Sequence, residues 1–139
     1  MERTVQIAAT VKNSQTQHEV SVRTGSSTQS LAVPPKPSGK GSAVNGGEFL
    51  MVALATCYCN DLYREAERLN LPIEEVVVEA TADFPGVGLA ATNIQYKVKV
   101  WSAATPEDIT DLLRQTDAVA EVHNTIRAGA AVTLSRDPV

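Results

Sequence analysis

Two cysteines are the residues of this sequence best suited to chemistry. Cys57 and Cys59 are its only cysteines, and both fall in a segment whose apolar residues predict a helix. A thiol attacks a substrate only as the thiolate, so a reactive Cys57 needs a cation close by. The sequence does not choose among the candidates, which are Arg3, Arg23, Lys36, Lys40, His123 and Arg127.

A simpler interpretation is a structural role. A free cysteine on an apolar helix is most often a small core residue, which applies to Cys57 and Cys59 alike. The two side chains point about 160° apart on a helix, so they should not form a disulfide. His18 and His123 are distant in sequence and match no zinc-ligand spacing. We therefore expect neither a metal site nor a cofactor.

Composition narrows the class of protein. The chain has 139 residues, of which 43% are hydrophobic and 20% charged, as expected of one globular domain over residues 1–139. The net charge of −4 argues against nucleic acid or an anionic membrane as a partner. No apolar run reaches the roughly 18 residues of a membrane span. The N-terminal residues lack the apolar core of a signal peptide, which predicts a cytoplasmic protein.

The cysteines lie on a predicted helix from Glu48 to Leu69. Its first half, from Phe49 to Ala55, is apolar all round, a pattern typical of a helix buried on every side. A chain of this size can bury such a helix either between two sheets or under a second subunit. The pattern therefore favours a homodimer.

The remaining elements follow from alternation and capping. Alternating apolar residues predict strands at residues 5–11, 19–23, 30–33, 76–84, 94–101 and 131–135. A loop at 34–47 holds three prolines and four glycines and is long enough to be functional. Thr105 is expected to cap a helix that begins with Pro106. Asp117 is a possible cap of a second helix, which runs through Arg127 and is ended by Gly129.

Three segments resemble the OsmC-like family. The stretch from Asn45 to Cys57 has the family's order of a Gly- and Pro-rich loop, a glutamate, an apolar helix and a cysteine. Residues 64–72 before a valine-rich strand, and residues 122–129, fit the same family. The resemblance implies an α+β fold, in which a curved antiparallel sheet wraps on a long central helix, and an intertwined homodimer.

The resemblance also implies a reaction. Active members of the family reduce organic hydroperoxides with two cysteines, and the peroxide-attacking position here is Cys57. The residue aligned with the second cysteine is Ala120, so the usual intramolecular disulfide cannot form. An external thiol would have to resolve the sulfenic acid.

Four further residues are site candidates under the resemblance. Glu48 lies nine residues before Cys57, where the hydroperoxide reductase branch has its glutamate ten before. A spacing of nine residues places Glu48 and Cys57 on opposite faces of a straight helix. Glu48 is therefore either a catalytic residue, as the resemblance implies, or a residue that serves the helix N-terminus. Arg23 is the nearest match to the branch's activating arginine. His123 is a possible base or donor near Cys57 or a packing histidine, and Arg127 is a binding residue or offsets a helix dipole.

Two functions remain open. The first is a one-cysteine peroxidase in which Cys57 reduces a small-molecule hydroperoxide and an external thiol restores it. The second is a non-catalytic OsmC-like dimer that binds a small apolar ligand or a protein partner.

Overall fold

The computed structural model of the chain describes residues 4–137, so the candidate cation Arg3 lies outside the described residues. The residues divide into two compact units, one reaching to Phe49 and one beginning at Leu50. The elements in chain order are β1 (Ile7–Asn13), β2 (His18–Thr24), β3 (Ser27–Leu31), α1 (Gly46–Arg68), β4 (Glu75–Asp83), β5 (Thr92–Trp101), α2 (Pro106–Val119) and α3 (Glu121–Ala128). The α+β prediction is confirmed, with antiparallel sheets and helices.

The first unit is built on the antiparallel sheet β1-β2-β3. The first two predicted strands are confirmed, but the third begins at Ser27 and ends at Leu31. The reason is the turn, because Gly25 adopts φ +57° and pairing resumes at once between Thr24 and Ser27. The loop predicted over 34–47 is largely confirmed, although α1 already begins at Gly46.

The second unit holds a core between α1, α2 and the hairpin β4-β5. Leu62 of α1 and Leu112 of α2 are both 0% exposed, and they pack with the inward-facing side chains of the hairpin, such as Val78 and Val98. On the outer face Glu79 lies opposite Lys97, as the charge pattern of the two strands suggests.

Capping residues set two of the helix boundaries in this unit. Asn70 has φ 56°, and the N–H of Leu71 donates to the carbonyl of Ala66 at 2.8 Å, which ends α1. The Thr105 hydroxyl accepts from the N–H of Asp108 at 3.1 Å, and Pro106 takes the first helical position. Both boundaries agree with the sequence-based predictions to within a residue.

Two predictions at the C-terminal end are wrong. Asp117 does not cap a helix but lies inside α2, where its carboxylate accepts from the Tyr96 hydroxyl and the Arg127 guanidinium. Ala120, in extended backbone, separates α2 from α3 instead. Residues 131–135 form no strand, and Val132 is 98% exposed. An alternating pattern needs a neighbouring strand to pair with, and the described chain supplies none there.

The apolar half of α1 is only partly buried within the described chain. Leu54 is 3% exposed, whereas Val52 is 54% exposed. The burial expected on every side of the helix is therefore not met at Val52. No described helix combines the length and apolar character needed to cross a membrane.

Candidate functional site

The Cys57 thiol contacts two carboxylates. One turn further along α1, Asp61 places Oδ2 3.7 Å from Cys57 Sγ, and Glu121 at the start of α3 places Oε2 at 3.9 Å. Asp61 is buried and also pairs with Arg64 at 2.9 Å, while Glu121 is exposed. Cys57 itself is partly exposed, so its sulfur is not sealed among aliphatic side chains.

These surroundings keep the thiol protonated. Burial raises the pKa of Cys57 above its ordinary value, and the negative charges of Asp61 and Glu121 raise that pKa further. The backbone N–H of Val122 is the one group acting in the opposite direction among the described neighbours. None of the described groups that shift the pKa of Cys57, which are Asp61, Glu121 and Val122, is a cation. The cation that a reactive Cys57 needs therefore does not come from them.

The same three side chains form a set of possible metal ligands. The sulfur of Cys57 and a carboxylate oxygen from each of Asp61 and Glu121 lie within 4.8 Å of one another. A thiolate and carboxylates are donors that Zn²⁺ accepts. From the sequence, only the cysteines and histidines were candidate metal ligands. The spacing of four from Cys57 to Asp61 was a usable signal, because such residues share a helix face, but nothing in the sequence pointed to Glu121.

Glu48, a predicted site residue, has its contacts at the start of α1. Its Oε1 accepts from the N–H of Asn45 at 2.9 Å, and its own N–H donates to Asn45 Oδ1 at 2.8 Å. This reciprocal pair is a capping box, which satisfies two backbone donors that a helix start leaves open. The alternative role of Glu48, which is to serve the N-terminus of α1, thus corresponds to two defined hydrogen bonds with Asn45.

Arg23, the second predicted site residue of the first unit, lies on β2. Its guanidinium donates to the carbonyl of Gly25 at 2.6 Å and to Gln6 Oε1 at 2.9 Å. Both acceptors are uncharged, so these contacts hold the guanidinium in place without neutralising its charge.

His123 and Arg127, the two predicted binding residues, line one cavity of the second unit. The cavity has a volume of about 340 Å³, and its walls are Leu54, Ile94, Gln95, Tyr96, His123, Ile126 and Arg127. His123 is only 3% exposed. Neither of its ring nitrogens has a hydrogen-bond partner among the described residues of this unit.

Aromatic rings surround His123. The ring centroid of Tyr96 lies 4.6 Å away in a T-shaped arrangement, and that of Tyr58 lies 6.0 Å away. The Tyr58 hydroxyl donates to the carbonyl of Leu113 at 2.8 Å, and the Tyr96 hydroxyl donates to Asp117. The hydroxyls that could have served the imidazole are thus used elsewhere.

The charged groups beside the cavity are paired. Arg127 donates to Asp117 at 2.8 Å, which lowers the pKa of the Asp117 carboxyl and raises that of the guanidinium. Burial raises the pKa of Tyr96, as does its hydrogen bond to Asp117. Burial also lowers the pKa of His123, and the positive charge of Arg127 lowers it further. The imidazole is therefore neutral near pH 7.

A family comparison identifies the chain. The model of the OsmC-like protein family matches residues 39–135, a segment that contains Cys57, Glu121 and His123. The chain belongs to the OsmC-like family. A comparison of the sequence with curated proteins gave no match.

Solved structures share the fold of this OsmC-like protein. An OsmC-like protein from Mycoplasma pneumoniae is similar with a TM-score of 0.64 at 18% identity, over 91% of this chain and 89% of the other. An organic hydroperoxide resistance protein from Elizabethkingia anophelis gives 0.55 at 17% identity, over 91% and 90%. An organic hydroperoxide resistance protein OsmC from Legionella pneumophila gives 0.54 at 16% identity, over 90% of each chain.

The position aligned with the family's second cysteine lies beside this site. Ala120 is 0% exposed between α2 and α3. The next residue, Glu121, is the one whose carboxylate reaches the Cys57 thiol. Where the resemblance leads one to expect a resolving cysteine, this OsmC-like protein has a buried methyl group followed by a carboxylate.

Proposed function

We propose that this OsmC-like protein reduces organic hydroperoxides through Cys57, with an external thiol as reductant. The observation that carries the proposal is a partly exposed Cys57 thiol at the position where the family resemblance places the attacking cysteine. Two structurally similar proteins are organic hydroperoxide resistance proteins, which supports the choice of substrate class.

The reaction proceeds in three balanced steps. The sulfur of Cys57 attacks the terminal peroxide oxygen, the O–O bond breaks, and the products are a sulfenic acid on Cys57 and an alcohol. One external thiol then forms a mixed disulfide with Cys57 and releases water. A second external thiol reduces that mixed disulfide, which restores the Cys57 thiol and yields the external disulfide.

The carboxylates at the thiol can serve the first step as proton acceptors. Asp61 and Glu121 lie within hydrogen-bond reach of the sulfur. Either could take the thiol proton as the S–O bond forms, and the proton would then pass to the leaving alkoxide. In this proposal the carboxylates compensate for a thiol that is not ionised in advance.

The direct test is oxidation of Cys57 by cumene hydroperoxide. The protein is incubated with a modest excess of the peroxide, trapped with dimedone and analysed by mass spectrometry. We expect the adduct on Cys57 in the wild type and in Cys59→Ser, and none on residue 57 in Cys57→Ser. Absence of a Cys57 adduct in the wild type would contradict the proposal.

Arg23 and Glu48 have different parts in the proposal. Arg23, the nearest match to the activating arginine under the resemblance, is tested by replacement with Gln: a thiolate stabilised by its guanidinium predicts trapping of Cys57 sulfenic acid at least tenfold slower in the variant. Glu48→Ala tests the catalytic role against the cap. A cap alone predicts a lower free energy of unfolding, by about 1 kcal/mol, with an unchanged rate of oxidation.

We also propose that the protein is a cytoplasmic homodimer. Side chains such as Val52, which is 54% exposed, and Ile7, which is 73% exposed, leave apolar surface that a second subunit would cover. The free thiols of Cys57 and Cys59 suit a reducing compartment. Sedimentation of the wild type as a monomer at micromolar concentration would contradict the dimer.

A second candidate is a non-catalytic family member that binds a small apolar ligand or a protein partner. The raised pKa of Cys57, caused by burial and by two carboxylates, favours it. Retained ligand binding in Cys57→Ala would support this candidate, and strict loss of all function in that variant would count against it.

A further inference from the structure

The cavity at His123 has the features of a small-molecule site. Its volume of about 340 Å³ is at the small end of the range for ligand pockets, ~300–1,000 Å³. Leu54, Ile94 and Ile126 supply apolar wall. His123 supplies a polar group that is 3% exposed and has no hydrogen-bond partner among the described residues of its unit.

An unpartnered imidazole at such a site is costly to bury. A buried polar group without a partner is less stable than one that is satisfied, because it has lost its hydrogen bonds to water and gained none in the protein. Tyr58 and Tyr96 are close enough to pack on the ring, but their hydroxyls donate to Leu113 and Asp117. The hydrogen-bonding capacity of His123 is therefore free for a ligand in the cavity.

The charges at the cavity select the class of that ligand. The guanidinium of Arg127 is 2.8 Å from the carboxylate of Asp117 and forms an ion pair with it. The imidazole is buried beside Arg127, a setting that disfavours a second positive charge. The described lining of the cavity thus holds no unpaired cation for an anionic ligand, while a neutral imidazole offers one donor and one acceptor.

We propose that the cavity formed by Leu54, Ile94, Tyr96, His123 and Ile126 binds a neutral alcohol or phenol, whose hydroxyl bonds the His123 imidazole and whose apolar body packs on the leucine and isoleucines. A hydroxyl both donates and accepts, so it can pair with either ring nitrogen of a neutral imidazole. The site does not rest on the proposed peroxide reaction of Cys57, and it would give the second candidate function a ligand class.

Calorimetric titration with three matched probes tests the proposal. The probes are p-cresol, p-xylene, which lacks the hydroxyl, and p-toluate, which is anionic. We expect p-cresol to bind the wild type about tenfold more tightly than p-xylene, the effect of one net hydrogen bond, and more tightly than p-toluate. In His123→Phe the preference for p-cresol over p-xylene should disappear.

A second pair of variants guards against misfolding at residue 123. Ile126→Trp should weaken p-cresol binding at least tenfold by filling the cavity, whereas Val132→Ala, at an exposed position, should leave it unchanged. Cys57→Ser should bind p-cresol like the wild type, which separates this site from the peroxide chemistry. The proposal is overturned if p-cresol does not bind, if p-xylene or p-toluate binds the wild type equally well, or if Ile126→Trp has no effect.

Discussion

Two residues of α3, Glu121 and His123, lie in contrasting surroundings within the second unit. Glu121 directs a carboxylate to the Cys57 thiol, beside the buried carboxylate of Asp61. His123 enters an aromatic and apolar cavity whose nearby charges are already paired. The Cys57 thiol thus lies beside two carboxylates. The His123 imidazole has no hydrogen-bond partner among the described residues and carries no net charge.

The difference shows how one short helix, α3, can place two side chains in chemically different surroundings. A thiol beside carboxylates loses its proton only with difficulty, so its reactivity depends on proton transfer or on a cation from elsewhere. A neutral imidazole that is buried in a cavity is suited to binding, since a hydrogen bond is stronger where the local dielectric is low. The two sides are therefore expected to respond to mutation independently.

The largest effect is expected from replacing Tyr58, whose ring supports both the Cys57 side and the His123 side. Tyr58 follows Cys57 on α1, is 1% exposed and packs its ring on Tyr96 at 4.8 Å between centroids. Tyr58→Ala should lower the free energy of unfolding by about 3–5 kcal/mol, measured by urea denaturation. The matched control is Tyr63→Ala on the same helix, where the side chain is 45% exposed. A loss at Tyr58 no greater than at Tyr63 would contradict the packing described above.

Acid should destabilise the protein through the His123 side. The pKa of His123 is lowered in the folded chain by burial and by Arg127. The unfolded state therefore binds the extra proton first, at about pH 6.5. The full stabilisation is present above that pH and is lost as the pH falls through the folded-state pKa, at up to about 1.4 kcal/mol per pH unit.

The check is urea denaturation of the wild type and His123→Phe between pH 7.5 and 5. The variant should lack this part of the slope. Asp117 also loses stabilisation in acid, because its folded pKa is lowered by Arg127. Asp117 loses its stabilisation as the pH falls from the ordinary carboxyl pKa to the lowered folded-state pKa. That pH range does not overlap with the range from pH 7.5 to 5 in which His123 is tested. Equal slopes in both proteins would show that His123 is not held neutral by its surroundings.

A smaller effect is expected on the Cys57 side. Glu121→Gln removes one of the two negative charges at the thiol, so the pKa of Cys57 should fall and alkylation by iodoacetamide at pH 8 should quicken. The exposed position of Glu121 limits the gain to about two- to fivefold. Glu67→Gln, at an exposed site on α1, is the control. A rate that falls in Glu121→Gln would show that the Glu121 carboxylate does not raise the pKa of Cys57.

The sequence predicted most of the elements but only half of the site. Local signals were sufficient where a single turn decides, as with the Thr105 cap. They failed at residues 131–135, because alternation cannot reveal whether a partner strand exists. Asp61 was within reach of a helical-spacing argument, whereas Glu121 meets the thiol only through the packing of α3 on α1. Likewise, no pattern in the sequence indicated that His123 would be buried without a hydrogen-bond partner in the described part of the chain.

The measurement that tests the account most directly is the pH dependence of Cys57 alkylation in a Cys59→Ser background. Iodoacetamide reacts with the thiolate, so the midpoint of the rate profile reports the pKa of Cys57. Burial and the two carboxylates predict a midpoint above the ordinary thiol value of about 8.5. A midpoint well below that value would contradict an acidic setting and would mean that a cation, rather than Asp61 and Glu121, governs the thiol.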